Sequence, residues 1–370
     1  MLVNYLVIFL IIILGVHYNF RKKKPDFNQN RLKFITLVSI ILILQSGLRH
    51  VAVGADTYAY YLKFEEVKNY SWKYVFEFFV DYYDKDIGKD PGYLIFQKIA
   101  QIFISDYQLF LFLIALIFFS ALGNFIYKNT YRLNDAILAF IIYSVLFYSF
   151  FSITGHRQTI ATACTIYSFE LIKKRKLFWY VLIILLASTI HKSCLIFLPF
   201  YLSTYINKPK YIFYFTLLLF PFLIVSSSQL VLFFTSIGGY DNYEALDNAG
   251  AYTFTFMFIL IYLGAMLRYK QIIQDYGNNA KYLFVAFSIA LLFIPTTWYR
   301  SDGMRVVQYF SLFMLILIPE IIDSFKNNRL RREIFIVSIA LLTIYLYKTT
   351  SRIPYSFFWQ EMELGSNYDI

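Results

Sequence analysis

Charge is what this chain has least of. Only 15% of its 370 residues are Asp, Glu, Lys or Arg, against 59% hydrophobic and 21% aromatic, and the mean hydropathy is +0.55. So few charges cannot clothe a water-soluble domain of this length, so the solvent around most of it is lipid. The apolar runs also lack the strict alternation and close-set turn signals of a membrane barrel. That leaves an all-α polytopic transmembrane bundle, since only helices and closed barrels satisfy their backbone inside a bilayer. Cysteine is nearly absent: Cys164 and Cys194 sit inside apolar runs, read as small packing residues, and say nothing of redox compartment. Missing too are paired Cys or His at metal spacing, a glycine-rich phosphate loop and a Gly-x-Ser-x-Gly turn. No metal and no cofactor are expected.

What is present is a series of long apolar runs joined by short basic loops. Spans are predicted at 2–20, 32–48, 107–127, 134–151, 157–172, 177–190, 194–206, 211–225, 252–267, 282–296, 304–322 and 334–347, roughly 10 to 12 crossings in one integral membrane domain over residues 1–370. The first run has no cation before it and Arg21-Lys22-Lys23-Lys24 directly after it, the reverse of a signal peptide. It predicts a retained helix with its N-terminus outside. With that orientation the inner loops hold 21 of the 34 lysines and arginines but only 7 of the 23 acids. The basic pI of 9.3 then reflects anchoring to anionic inner-leaflet lipid. Cations scattered over many short loops do not make a nucleic-acid surface.

Residues 49–106 become the largest exterior loop. Within it Trp72, Val75, Phe76, Phe79, Val80 and Tyr83 recur at three- and four-residue spacing, predicting a helix that lies flat on the outer face. Asp90-Pro91-Gly92-Tyr93 reads as a second helix start, with Asp90 as the cap and Pro91 in the first turn. The run 177–201 is interrupted by His191-Lys192-Ser193, which predicts a hairpin turning at the outer surface, because a single pass would strand a cation at mid-membrane. Pro221 and Pro295 are expected to kink or end their helices.

That topology sends every chemically interesting group to one face. His156, Arg157 and Gln158 open a span of small residues that includes Ala161, Thr165 and Ser168, and His191 and Lys192 stand at the outer end of the next. Arg49, His50, Asp56 and Thr57 follow the second span, and Tyr299, Arg300, Asp302 and Arg305 lie between two late ones. Each alone fits a snorkelling or ion-paired surface residue. Together, arginine forks at a membrane surface suit the two-point grip of a pyrophosphate on a lipid carrier. Asp84-Lys85-Asp86 has the form of a metal-binding D-x-D, but among alternating charges it reads as solvated surface. His17 reads as an interfacial residue.

Five motifs occur in order: Arg49-x-x-x-x-Gly54-x-Asp56-Thr57-x-x-Tyr60, Pro91-Gly92-Tyr93, Arg157-Gln158-x-x-Ala161, His191-Lys192-Ser193 and Arg305-x-x-x-Tyr309-Phe310 followed by Ile318-Pro319. With these the chain resembles the EpsG family of Wzy-like polysaccharide polymerases over most of its length. Similar members often carry Glu before Pro-Gly-Tyr, where this chain has Asp90. The resemblance implies a metal-independent, glycosyltransferase-type polymerase at the outer face of a bacterial cytoplasmic membrane. It would assemble O-antigen, capsule or exopolysaccharide from oligosaccharide repeat units carried on undecaprenyl pyrophosphate. A chain-length regulator and a flippase are further expected partners. The expected division of roles has Arg157 and Arg305 holding the departing pyrophosphate, with Arg49 and Arg300 in support. His191, His156 or Asp56 would accept the attacking proton, and Lys192, Gln158, Thr57 and Tyr299 would contact pyrophosphate or sugar. A flippase for the same lipid, or a ligase passing glycan to another acceptor, is the alternative. A flippase needs ionisable groups along a path through both leaflets, whereas here they gather at one face.

Overall fold

Uninterrupted apolar sequence, with proline and glycine kept to its margins, gives this chain helices and little else. A computed structural model describes residues 2–20, 27–54, 56–85, 88–238, 251–299, 302–349 and 355–362. Among the described residues there is no strand, only one isolated bridge. The α-helices are α1 (Leu2–Phe20), α2 (Phe27–Gly47), α3 (Thr57–Lys68), α4 (Trp72–Lys85), α5 (Pro91–Ala100), α6 (Tyr107–Asn129), α7 (Leu133–Ile142), α8 (His156–Lys173) and α9 (Leu177–Ile190). They continue with α10 (Pro209–Val225), α11 (Ser227–Gly238), α12 (Tyr252–Leu267), α13 (Tyr269–Tyr276), α14 (Ala280–Phe293), α15 (Asp302–Ser311), α16 (Met314–Asp323) and α17 (Asn328–Thr349).

The architecture is an all-α polytopic bundle. Among the described residues, four helical segments, Leu2–Phe20, Asn28–Gly47, Tyr107–Asn129 and Tyr269–Trp298, are long and apolar enough to cross a membrane, and a bent pair, Gly303–Ser311 with Met314–Asp323, makes a fifth if taken as one span. Several other expected spans are shorter apolar helices or are wound differently. The span expected at 134–151 is α7 continued by two π-helical stretches, Tyr143–Phe147 and Ser149–Ile153. Wider winding of this kind is common beside functional sites, and this one delivers the chain to His156. The span expected at 194–206 is a 3-10 helix, Lys192–Tyr205. At a rise of ~2 Å per residue its length is about 28 Å, close to the hydrocarbon thickness that an α-helix needs ~20 residues to cross.

The two prolines differ, and only Pro295 ends its α-helix. Pro295 falls where α14 gives way to the 3-10 turn Ile294–Trp298. Pro221 is carried inside α10, which ends at Val225. The interruption foreseen at 191–193 is real: α9 stops at Ile190, and His191 is extended at φ −156, ψ 105. The segment expected as an exterior loop is helical rather than irregular, built from α3, α4 and α5. On α4 only Val75 is buried, while Trp72, Tyr74, Phe76, Val80 and Tyr83 stay exposed, the unpartnered apolar face expected of an interfacial helix.

Packing divides the chain into two compact units. The first comprises 1–171, 176–195 and 334–370. In it α2 lies along α6, α1 packs on α2 and α7, and α5 crosses α9. Close approach there depends on small residues: a methyl group on Gly123 would come 2.8 Å from Ser39 Oγ. The second unit comprises 172–175 and 196–333, with α14 packed on α10, α12 and α15. Within it Tyr262 stacks on Phe213 at 3.6 Å and 3°, and its hydroxyl donates to Phe213 O.

The orientation is open to direct measurement. With whole cells and a membrane-impermeant thiol reagent, a cysteine placed at Lys85 should be labelled, and cysteines at Lys174 and Arg331 should be spared. The reverse pattern would put all of the chemistry described below on the cytoplasmic side.

Candidate functional site

The residues that could do chemistry in the first unit are organised by Asp90. The sequence offers it as a helix cap, and the structure uses it otherwise. Asp90 sits immediately before α5 in the left-handed region, φ 48 and ψ 57, and makes no side-chain cap bond. Aspartate is one of the few residues that tolerate this conformation. It turns the carboxylate away from α5 and toward two other elements. Oδ2 accepts from Arg157 Nη1 at 2.7 Å and faces His191 Nδ1 at 3.4 Å, while Oδ1 faces the backbone N–H of Lys192 at 3.4 Å.

Gly92 explains how α5 comes this close to α9. A methyl group there would lie 2.6 Å from Thr189 Cβ and 2.8 Å from the Thr189 carbonyl carbon, so the two helices cross in backbone contact and no larger residue fits. Burial by itself would raise the Asp90 carboxyl pKa. The hydrogen bond from His191, then the charges of His191 and Arg157, outweigh burial and hold it below the usual carboxylate range. Asp90 is therefore a firm anion at any neutral pH.

His191 is 4% exposed, and its Nε2 is buried without a hydrogen-bond partner among the described residues. Arg157 carries the group outward. Its Nε donates to Tyr60 Oη at 3.2 Å, its side chain is 28% exposed, and Nη2 makes no bond within the described residues. Behind it Ala161, Thr165 and Ser168 continue the same face of α8 and are completely buried, so Arg157 is held by a close-packed helix.

A second cluster lies next to the first. Arg49 is 2% exposed, and its Nη1 donates to Ser46 O at 2.5 Å and Ser46 Oγ at 3.0 Å. Its Nη2 lies 2.8 Å from His156 Nε2. A guanidinium only donates, so His156 Nε2 must accept. The ring is then the neutral tautomer with its proton on Nδ1, an atom that is buried and unpartnered. Tyr60 joins the clusters: its ring stacks on His156 at 4.5 Å and 21°, and its hydroxyl holds Arg157.

Arg49 is sealed by a segment from far along the chain. His50 N donates to Ser356 O at 2.8 Å, Phe358 N donates to Leu48 O at 2.9 Å, and Tyr355 Oη donates to Gln45 O at 2.6 Å. Arg49 and Phe357 form the isolated bridge. Burial pulls the Arg49 guanidinium below its ordinary pKa, with the neighbouring Tyr107, Tyr148 and Tyr355 acting in the opposite sense.

The other expected site residues are spread more widely. Thr57 is fully buried, with Oγ1 2.8 Å from both Val53 O and Ile153 O, and so ties the start of α3 to the end of the π-helical stretch. Gly54 at φ +111 makes that turn possible. Gln158 is buried on α8, Lys192 is exposed beside Asp90, and Asp56 is exposed before α3 with no cap bond. Arg305 and Tyr299 belong to the second unit, each half-buried, on α15 and after the turn Ile294–Trp298 respectively. Arg300 lies outside the described residues. The structure thus brings Arg157, His191 and Lys192 around Asp90, and Arg49 to His156. Asp90 and Tyr60 are the members that sequence reasoning did not rank as site residues. The one available signal was their place inside the Pro-Gly-Tyr and Arg49-to-Tyr60 motifs.

Compared with known proteins, the EpsG family model matches residues 32–361 of the chain. No curated protein and no solved structure matches it.

Proposed function

The chain belongs to the EpsG family, a Wzy-like polymerase-type family, and on that premise we propose that it polymerises lipid-linked oligosaccharide repeat units at the outer face of a bacterial cytoplasmic membrane. In this reading the growing glycan, held on undecaprenyl pyrophosphate, is transferred to a hydroxyl of the next lipid-linked unit. The observation that carries it is the buried Asp90–His191 pair, in which His191 Nε2 has no hydrogen-bond partner among the described residues, set beside a partly exposed arginine.

The geometry supports the following division of roles. The negative charge of Asp90 holds the His191 proton on Nδ1, which leaves the Nε2 lone pair free to take a proton. As the acceptor hydroxyl oxygen bonds to the anomeric carbon, its proton passes to His191 Nε2. The bond from that carbon to the pyrophosphate oxygen breaks, and the electron pair leaves with the carrier. The imidazolium so formed is stabilised by Asp90. Negative charge grows on the leaving pyrophosphate, where the open Nη2 of Arg157 and the exposed Lys192 side chain serve it, and interactions that strengthen as charge develops lower the barrier most.

His156 is unsuited to the base role, because its Nε2 already accepts from Arg49 and its Nδ1 carries the proton. Arg49 spends Nη1 on Ser46 and Nη2 on His156; it fixes the His156 ring on which Tyr60 stacks. Asp56 makes no side-chain cap bond and has no partner among the described residues that would orient it as a base. Arg305 lies in the second unit and takes no step here.

The test is a strain that lacks the protein. Supply and flipping of units remain intact, so single repeat units should persist on the carrier, facing outward, while long polymer disappears. Units accumulating on the cytoplasmic side would identify a flippase instead, and polymer of normal length left unattached to its final acceptor would identify a ligase.

A further inference from the structure

A groove of about 510 Å³ opens in the first unit where α2 ends and α6 begins. From its lining we infer that it is a saccharide subsite, taking a neutral sugar ring of the incoming acceptor unit. The assignment of that sugar to an acceptor rests on the polymerase reading above; the assignment of the groove to a sugar does not.

The volume is of the order of known small-molecule sites, which run from roughly 300 to 1,000 Å³. Its walls are aromatic. Tyr61 and Tyr107 meet edge to face at 5.3 Å, and Phe112 and Phe358 contribute further rings. Phe358 is 47% exposed, an aromatic presented to the groove by the segment that covers Arg49. A pyranose carries C–H groups on its faces and hydroxyls around its edge, so it is matched by ring walls with donors and acceptors at the rim.

The rim supplies both kinds. His50 Nδ1 accepts from Ala52 N at 3.1 Å, which puts the ring proton on Nε2 as a donor with no partner among the described residues. Gln108 Nε2 donates to the carbonyls of Gly47 and Arg49, leaving Oε1 to accept. Asp106 Oδ1 caps α6 by accepting from Leu109 N at 3.0 Å, leaving Oδ2 to accept. Charge excludes the other ligands this reaction could offer. Glu65 and Lys68 pair with each other at 2.6 Å, so the unbalanced charge at the rim is the Asp106 carboxylate. A pyrophosphate would be repelled by it, and a polyprenyl tail would strip water from the rim groups without replacing their hydrogen bonds.

The position fits an acceptor. Tyr107 lines the groove while its ring centre lies 6.3 Å from that of His156, and its hydroxyl donates to Thr57 O at 3.2 Å. A single ring therefore separates the groove from the Arg49–His156 cluster.

The experiment uses the full-length protein in lipid nanodiscs and two probes, titrated separately by calorimetry. One is the free repeat-unit oligosaccharide cut from the host's own polysaccharide; the other is inorganic pyrophosphate. Tyr61→Ala and Phe358→Leu each remove a wall, the latter without touching the backbone bonds of the segment. Each should weaken oligosaccharide binding about three- to tenfold, the range of one lost aromatic contact, and leave pyrophosphate binding unchanged. Oligosaccharide binding that is equal in wild type and both variants overturns the proposal, as does absence of binding to wild type or a pyrophosphate response to the wall variants. The two readings fail separately. If groove variants lose sugar binding but no preparation extends a lipid-linked unit, the subsite stands and the polymerase reading falls. If polymerisation proceeds with an unchanged KM for acceptor in the variants, the polymerase reading stands and the subsite falls.

Discussion

Asp90→Asn should reduce chain growth by about 10³- to 10⁴-fold, the scale on which a buried aspartate controls a catalytic histidine. The reason lies in the proton position. Asp90 in its carboxylate form can only accept, so His191 presents Nδ1–H to it and keeps Nε2 open. Asparagine is nearly isosteric, but its amide N–H can face Nδ1 and stabilise the opposite tautomer, which places a proton on the atom that must receive one. The substitution also removes the charge that stabilises the imidazolium formed during transfer. The measurement is the initial rate of polymer growth by purified full-length protein supplied with lipid-linked repeat units, normalised to folded protein. Carrier binding should change little. A rate within tenfold of wild type would return Asp90 to a purely structural role beside α5.

Arg157→Lys should cost on the order of a hundredfold in the same assay, comparable to removing one donor from an oxyanion site. Lysine keeps the charge and, with its shorter reach, can hold either Asp90 or a phosphate, whereas the guanidinium uses Nη1 for Asp90, Nε for Tyr60 and has Nη2 to spare. The loss should fall on kcat more than on the affinity for carrier, because the phosphate contact gains strength as charge develops. Combining it with Asp90→Asn should give far less than the product of the two losses, since the residues act as one unit. A near-normal rate for the lysine variant, or full multiplicativity with Asp90→Asn, would separate Arg157 from the reaction.

The class of this molecule was fully legible in the sequence, since membrane residence and helical architecture follow from composition alone. So was the meeting of Arg157 with His191, because each stands at the same end of neighbouring apolar runs. Asp90 was not. In the sequence Asp-Pro-Gly is a local pattern with a strong local meaning, a cap, and the partners that override it lie 67 and 101 residues away. Local rules rank capping above any contact they cannot see. The π-helical stretches before His156 were hidden for a different reason: in a run that is apolar on every side, a period of 3.6 and a wider one look alike. The same uniformity concealed the 3-10 winding of Lys192–Tyr205. The burial of Arg49 was invisible because its cover, Tyr355 to Phe358, carries no pattern that points back to the second helix.

That cover sets an order of assembly. Tyr355 bonds to Gln45 across 310 residues of chain, and the bridge from Phe357 to Arg49 spans a similar stretch. The bonds that shut Arg49 away from solvent can therefore form only once the whole of the chain between the two segments has been made, so the burial of this cation is a product of long-range folding and not of its own helix.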